Sequence, residues 1–321
     1  MIKKGDVVEK KSTRQGFGQG LLQLGKENKK VVALSADLTE SNQMNHFEKA
    51  FPERFFQAGV AEQNMVAMSA GLALEGFVPF AATFGVFMMR ALDQIRISVC
   101  YNRAPVKLVA THCGLSTGED GATHQALEDV AVLRALPNMT IIEPCDYHQA
   151  VLASKAAAQH PGPVYLRLHR NKFPPLTTEA TLFQIGRAQI LQQGKKLTII
   201  GAGPILNEVI KAAQELKVQR KFLPEIINCP TIKPLDERTI LKSVKKTRKV
   251  LVIQDHQIYG GLGSAIAELL GEKLPTQIKI MGMADKFGES GKPAELWEKY
   301  GLSAQDIYRE ALKLISDKHL K

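Results

Sequence analysis

Residues 55–76 read FFQAGVAEQNMVAMSAGLALEG. A strand-like apolar run ends at Val60, and a helix built from apolar and small residues follows. One carboxylate, Glu62, stands between them. Two readings of it compete. In the plain one, Glu62 is ordinary helix chemistry: a solvated first-turn carboxylate that meets the helix dipole and is replaceable by Asp or Ser at small cost. In the other, it is a functional group set deliberately among residues that prefer burial.

The same alternation extends in both directions. Candidate strands lie at 31–36, 55–60, 77–83, 105–111, 139–144 and 163–168, with helical stretches at 61–75, 85–101, 124–136 and 146–159. Several of these strands are apolar on both faces, which fits a parallel sheet buried under helices. After Arg170 the pattern stops. NKFPPLTTEATLF, with adjacent prolines and clustered threonines, reads as a linker. Alternation then resumes, with strands at 196–202, 224–229, 249–255 and 277–282 and helices near 204–217, 236–246 and 262–272; two more helices close the chain. The expected fold is α/β with two domains, each a mostly parallel sheet covered by helices: residues 1–172, a linker at 173–186, and 187–321.

Of the 321 residues, 45% are hydrophobic and 23% charged, the profile of a globular protein. No stretch approaches the ~18 uninterrupted apolar residues of a membrane span, and MIKKGDVVEKKSTRQ has no apolar core of a signal peptide. Cys100, Cys113, Cys145 and Cys229 form no C-x-x-C pair, so neither a disulfide framework nor a cysteine metal site is expected. A reducing cytoplasm fits best. The net charge of +10 invites a nucleic-acid reading. The lysines are dispersed without aromatic interleaving, however, so solvated surface charge is expected, with neither nucleic acid nor membrane as partner. An attraction for small anions is compatible with it.

Ligands of open parallel sheets sit beyond the carboxyl ends of the strands. The loops there carry Asp37 to Ser41, Glu62, Phe84, His112 to His124, and His169 with Arg170. The richest is THCGLSTGEDGATHQALED (111–129), whose loop from His112 to His124 holds two imidazoles, two carboxylates and three glycines, with His124 expected to open the next helix. It is either a glycine-rich turn or a site for hydroxyls and a phosphate near a helix N-terminus. In ATFGVFMMRALDQIR (82–96), Phe84 and Phe87 are three apart and share a face. They are either core packing or a wall for a flat heterocycle. Gly201-Ala202-Gly203 hints at a dinucleotide loop, but Leu206 stands at the third glycine position and no NAD site is expected. DHQIYGGLGSAIAELL (255–270) reads as a tight strand-to-helix turn, with a subunit contact left open.

Taken together, GVAEQNM around Glu62, TFGVF (83–87), THCGLSTGEDGATHQALED and LSADLTESN (34–42) resemble the transketolase family of thiamine-diphosphate enzymes, in the family's order and over nearly the whole chain. The layout is similar to a pyrimidine-binding domain followed by a transketolase C-terminal domain. The resemblance implies that Glu62 hydrogen-bonds N1′ of the cofactor's aminopyrimidine, favouring the imino tautomer that removes the thiazolium proton. A poorly solvated carboxyl is required for that. A two-carbon unit then passes from a ketose phosphate to an aldose phosphate. It further implies that Phe84 and Phe87 pack on the pyrimidine and that Asp37 lies near the cofactor. Arg14, Ser41, His112 and Arg170 match phosphate or hydroxyl contacts, with arginine and histidine as charge-assisted donors. Asp120 matches a sugar-hydroxyl contact, and His124 a group near the donor carbonyl. Glu62, His112 and His124 are thus the expected catalytic residues.

Some positions depart from the pattern. Cys113 stands where many microbial transketolases have Asp, Ala122 and Ala126 replace common prolines, and Arg90 stands where many transketolases have Tyr but a deoxyxylulose-phosphate synthase has Arg. No G-D-G segment, the family's diphosphate and Mg²⁺ signature, occurs. The expectation is therefore a C-terminal subunit of a split transketolase. Its thiamine diphosphate and Mg²⁺ (or Ca²⁺) would be completed by an N-terminal partner in an α2β2 assembly, with the metal ligands on that partner. The alternatives are a two-chain enzyme of another pathway (deoxyxylulose-phosphate synthase-like, or specialised sugar synthesis) and a non-catalytic partner subunit. The two-histidine loop speaks against a 2-oxoacid dehydrogenase β-chain.

Overall fold

A computed structural model describes residues 9–316. Twelve strands are present among them: β1 Val31–Ser35, β2 Phe55–Gln57, β3 Val78–Phe84, β4 Lys107–Thr111, β5 Thr140–Ile142, β6 Val164–Arg167, β7 Gln189–Gln192, β8 Thr198–Gly201, β9 Glu225–Asn228, β10 Thr231–Lys233, β11 Lys249–Gln257 and β12 Gln277–Met283. They form two sheets, in the orders β10-β5-β6-β4-β3-β1-β2 and β12-β11-β8-β9-β7. The chain folds as two α/β domains. Both sheets are parallel except at one edge, where β10 runs antiparallel to β5 and β7 to β9. Every residue of β1, β4 and β6 is buried. Strands apolar on both faces need helices on both sides, and the chain supplies them. No helix among the described residues is long and apolar enough to cross a membrane.

The elements that the sequence left unassigned include one long helix and two strands. The helix Thr13–Glu27 begins with a capping box between Ser12 and Gln15. It packs closely on the helix Tyr147–Gln159, and a Cβ on Gly16 would lie 2.3 Å from the Tyr147 carbonyl. Strands β7 and β10 are short, and β10 crosses from the second half of the chain to finish the first domain's sheet.

Two expected helices change form. The stretch 85–101 is not one helix: it breaks into Gly85–Met88, a 3₁₀ turn Met89–Ala91, Leu92–Gln94 and a π-helical Ile95–Tyr101. The helix expected at 124–136 is confined to Asp129–Arg134, so His124 does not open it. The backbone of 124–126 is otherwise engaged: the Gly114 N–H donates to the Ala126 carbonyl, and Cys113 bridges Ala126 in parallel. His124 therefore stays in the loop.

A buried ionic cluster joins the domains. Arg167, 0% exposed, donates to Asp129 and Glu143 at 2.9 and 2.6 Å, and to the carbonyls of Ala126 and Asp255, both at 3.0 Å. Burial alone would raise the Glu143 carboxyl; Arg167, His169 and Gln254 outweigh it and hold it at about 2. His169, expected on the ligand rim, instead lies inside this cluster, between Glu143 and Ser116 at 2.9 Å each.

Candidate active site

Glu62 is the first residue of the helix Glu62–Leu74, whose N-cap, Ala61, offers no side-chain bond. Met65, Val66, Ser69, Ala70 and Ala73 follow it at helical spacing on the buried face. The carboxylate therefore points inward and is only 4% exposed, while Gln63 and Asn64 face out. A solvated helix-start glutamate would lie on their side. Among the described residues Glu62 accepts no hydrogen bond; its neighbouring cation is Arg90, at 3.6 Å. The Arg90 guanidinium in turn lies 4.9 Å from the Phe87 ring centroid.

Phe84 ends β3, and Phe87 follows in the next turn. Their rings are near-parallel, with centroids 5.5 Å apart. Strand β4 pairs with β3 so that Thr111 lies beside Phe84. The next residue, His112, thus stacks on Phe84 at 3.7 Å. His124 meets both phenylalanines edge-on, at 6.2 and 5.3 Å. The two phenylalanines and the two histidines, drawn from three separate stretches of sequence, form one aromatic wall.

His112 has a left-handed backbone (φ 56), and the Thr117 hydroxyl donates to its carbonyl at 2.6 Å. The Thr111 hydroxyl donates to Asn42 at 2.6 Å and lies 2.9 Å from Nδ1 of His112. With the Thr111 proton so used, Nδ1 carries the imidazole hydrogen and Nε2 is an acceptor. Burial, then the charges of Arg14, Arg170 and His124, push the His112 pKa down to about 3. His112 is thus neutral near pH 7, which corrects the expectation of a charge-assisted histidine donor here.

The cationic character belongs to the arginines. Arg14 Nη1 donates to the Ser41 carbonyl at 2.7 Å, so Ser41 contributes its backbone to this contact. Burial and then the charge of Arg170 lower the Arg14 pKa, as expected for two cations facing one site. Arg170 donates to Asp120 at 3.0 Å and to the Thr117 carbonyl at 3.1 Å. Asp120 is therefore ion-paired through Oδ2. Arg14 Nε and Asn42 Nδ2 are buried donors without a partner among the described residues. Unsatisfied buried donors are costly and mark a place for a ligand or solvent.

Asp37 is exposed, with φ 59, and its N–H donates to Gln57 at 2.7 Å. Among the described residues no hydrogen bond or ion pair joins it to Glu62 or the aromatic wall. No group of three or more His, Cys, Asp or Glu among them could hold a metal ion. Sequence reasoning missed Asn42, Thr111 and Thr117, which set the position of His112. The available signal was weak: two threonines and an asparagine flanking motif residues.

Residues 9–175 match the transketolase pyrimidine binding domain, and residues 186–307 the transketolase C-terminal domain. A protein of Methanocaldococcus jannaschii, provisionally named a transketolase C-terminal section, is 43% identical over 98% of both chains. The 6-deoxy-6-sulfo-D-fructose transketolase subunit SqwH of a Clostridium species is 37% identical, again over 98% of both. Among solved structures, a split-gene transketolase in the form of an inactive β4 tetramer superposes with a TM-score of 0.89 at 41% identity, covering 95% of this chain and 98% of the other. The chain belongs to the transketolase family.

Proposed function

We propose that this chain is the C-terminal subunit of a two-chain transketolase, transferring a two-carbon ketol unit from a ketose phosphate such as xylulose 5-phosphate to an aldose phosphate such as ribose 5-phosphate. The observation that carries this is Glu62, a buried carboxylate without a hydrogen-bond donor among the described residues, beside a wall of aromatic rings. An aminopyrimidine needs that pair of features: a flat apolar face and a carboxyl at one edge. Bound thiamine diphosphate would supply the carbanion chemistry. Glu62 would share a proton with the pyrimidine nitrogen, and Phe84 and Phe87 would pack on its face. Arg14 and Arg170 would take the substrate phosphate bidentately or together. The Asp120 carboxylate would keep Arg170 oriented while accepting from a sugar hydroxyl. Neutral His112, with its free Nε2, and His124 would orient the reacting oxygens, and Asp37 would act from the neighbouring turn.

Thiamine diphosphate and Mg²⁺ (or Ca²⁺) would be completed by an N-terminal partner chain, in an α2β2 assembly in the cytoplasm. Two observations support a partner. Val60, just ahead of the Glu62 helix, and Met68 and Leu74 on it are large apolar side chains left exposed near the site. The related split-gene transketolase is inactive as a β4 tetramer.

A second reading concerns the substrate. The two arginines suit a sulfonate as well as a phosphate, and the similar SqwH subunit carries a sulfosugar in its name. Arg90 keeps a deoxyxylulose-phosphate synthase-like choice in view. The test is to combine this chain with its diphosphate-binding partner and assay a panel of xylulose 5-phosphate, 6-deoxy-6-sulfofructose and pyruvate donors. Turnover of the phosphorylated ketose supports the first reading. Exclusive turnover of the sulfosugar or of pyruvate replaces it.

A further inference from the structure

The motif DHQIYGGLGSAIAELL supplies no group to the site, yet its first residue reaches the substrate loop. Asp255, on β11 of the second domain, is 1% exposed. Its carboxylate accepts the backbone N–H groups of Leu115 and Ser116 at 2.8 and 3.2 Å, and the indole N–H of Trp297 at 3.1 Å. Three donors, two from the loop and one from the helix Pro293–Lys299, converge on one buried carboxylate. The fit is tight: Gly114 has φ +78, and a Cβ there would fall 2.4 Å from Asp255 Oδ2. The same loop meets the second domain further on. Pro293 packs on Gly118, and Gln125 donates to the Glu289 carbonyl at 3.0 Å. From the other side, the Asp255 carbonyl is held by Arg167 of the first domain.

We infer that Asp255 is a positioning residue for the substrate loop, and that this is a task of the second domain: to hold residues 114–125 so that Asp120 meets Arg170 and His124 meets the aromatic wall. The inference rests on the transketolase reading for its kinetic consequence, but not for its structural one. Charge-assisted bonds to backbone N–H groups are stronger than neutral ones, and an amide cannot replace them here. An asparagine offers one oxygen to three donors and turns its NH₂ toward one of them.

The test uses amide hydrogen exchange on the full chain, followed by kinetics of the assembled enzyme. In Asp255→Asn, amides of 114–118 should exchange about tenfold faster while those of 250–253 stay within about twofold. Trp297→Phe, which removes one donor and keeps the ring stacked on Phe173, should accelerate the same loop amides by a smaller factor, about threefold. It decides the matter should Asp255→Asn not fold. In the assembled enzyme, the Asp255 variant should raise KM for the sugar phosphate about tenfold and leave cofactor affinity within about twofold. Unchanged loop exchange in the variants overturns the inference, as does an equal acceleration of loop and strand. Absence of ketol transfer by the unsubstituted assembly would count against the transketolase reading alone, because the exchange result stands without it.

Discussion

The Glu62 carboxylate lies 3.6 Å from the Arg90 guanidinium, and the two sit in opposite surroundings: the Glu62 side chain is 4% exposed and that of Arg90 is 58% exposed. An ion pair with one partner so open to water is weakly held. Arg90 can therefore turn outward and leave the carboxylate to a ligand ring arriving along the Phe84–Phe87 wall. The inward face of the helix fixes Glu62, and the exposed stem of Arg90 does not fix its guanidinium.

Glu62 should tolerate neither Gln nor Ala. Each substitution is expected to lower turnover of the assembled enzyme by far more than tenfold, that is by more than ~1.4 kcal/mol of barrier, with the fold intact by circular dichroism. Turnover within tenfold of the parent would return Glu62 to ordinary helix chemistry.

Arg170→Ala should separate phosphorylated from unphosphorylated acceptors. A hydrogen bond to a charged group is worth roughly 1.5–3 kcal/mol, so KM for ribose 5-phosphate should rise roughly 10- to 100-fold. KM for glycolaldehyde should move far less. Equal shifts for both would remove Arg170 from the phosphate site.

Stability should fall as the pH drops below the ordinary histidine range. The folded pKa of His112, about 3, lies below its usual 6.5. Above pH 6.5 the ring is neutral in both states and contributes no slope. Between 6.5 and 3 the unfolded chain binds a proton that the folded chain refuses, at a cost of about 1.4 kcal/mol per pH unit for one group. Glu143, with a folded pKa near 2 against 4.5, adds a loss that begins only below about pH 5. Unfolding of the parent chain and His112→Asn between pH 7 and 5 checks this: the variant should show the shallower slope, and parallel slopes would mean His112 is protonated in the folded chain.

Arg167→Met should destabilise the chain by roughly 3–5 kcal/mol, because Asp129 and Glu143 would be left as buried, uncompensated carboxylates. Urea unfolding measures this. A loss below about 1 kcal/mol would mean that the cluster reorganises around the missing cation.

The sequence made most of the parallel sheets legible, because β1, β4 and β6 are largely apolar on both faces and such runs have few other uses. It concealed β10, three residues between prolines whose partner strand lies in the other domain; pairing across that distance leaves no local pattern. The helix Thr13–Glu27 was hidden by its glycines, although Ser12 and Gln15 spell a capping box. At the site, Glu62 and the two phenylalanines stood out locally, but each had an ordinary structural reading beside it, and only the family resemblance chose between them. The neutral state of His112 could not be read this way, since it depends on burial first and then on Arg14 and Arg170 arriving from opposite ends of the domain. Nor could the pairing of Asp120 with Arg170, or the reach of Asp255 into the loop, which only the packing of two domains creates.

The most direct test of the central claim is ketol transfer from xylulose 5-phosphate to ribose 5-phosphate, with thiamine diphosphate and Mg²⁺, by this chain alone and with its diphosphate-binding partner. The proposed two-chain reading predicts no turnover above background from the chain alone and full activity near one partner per chain. Turnover by the isolated chain, or none by the pair with any ketose donor, would contradict it.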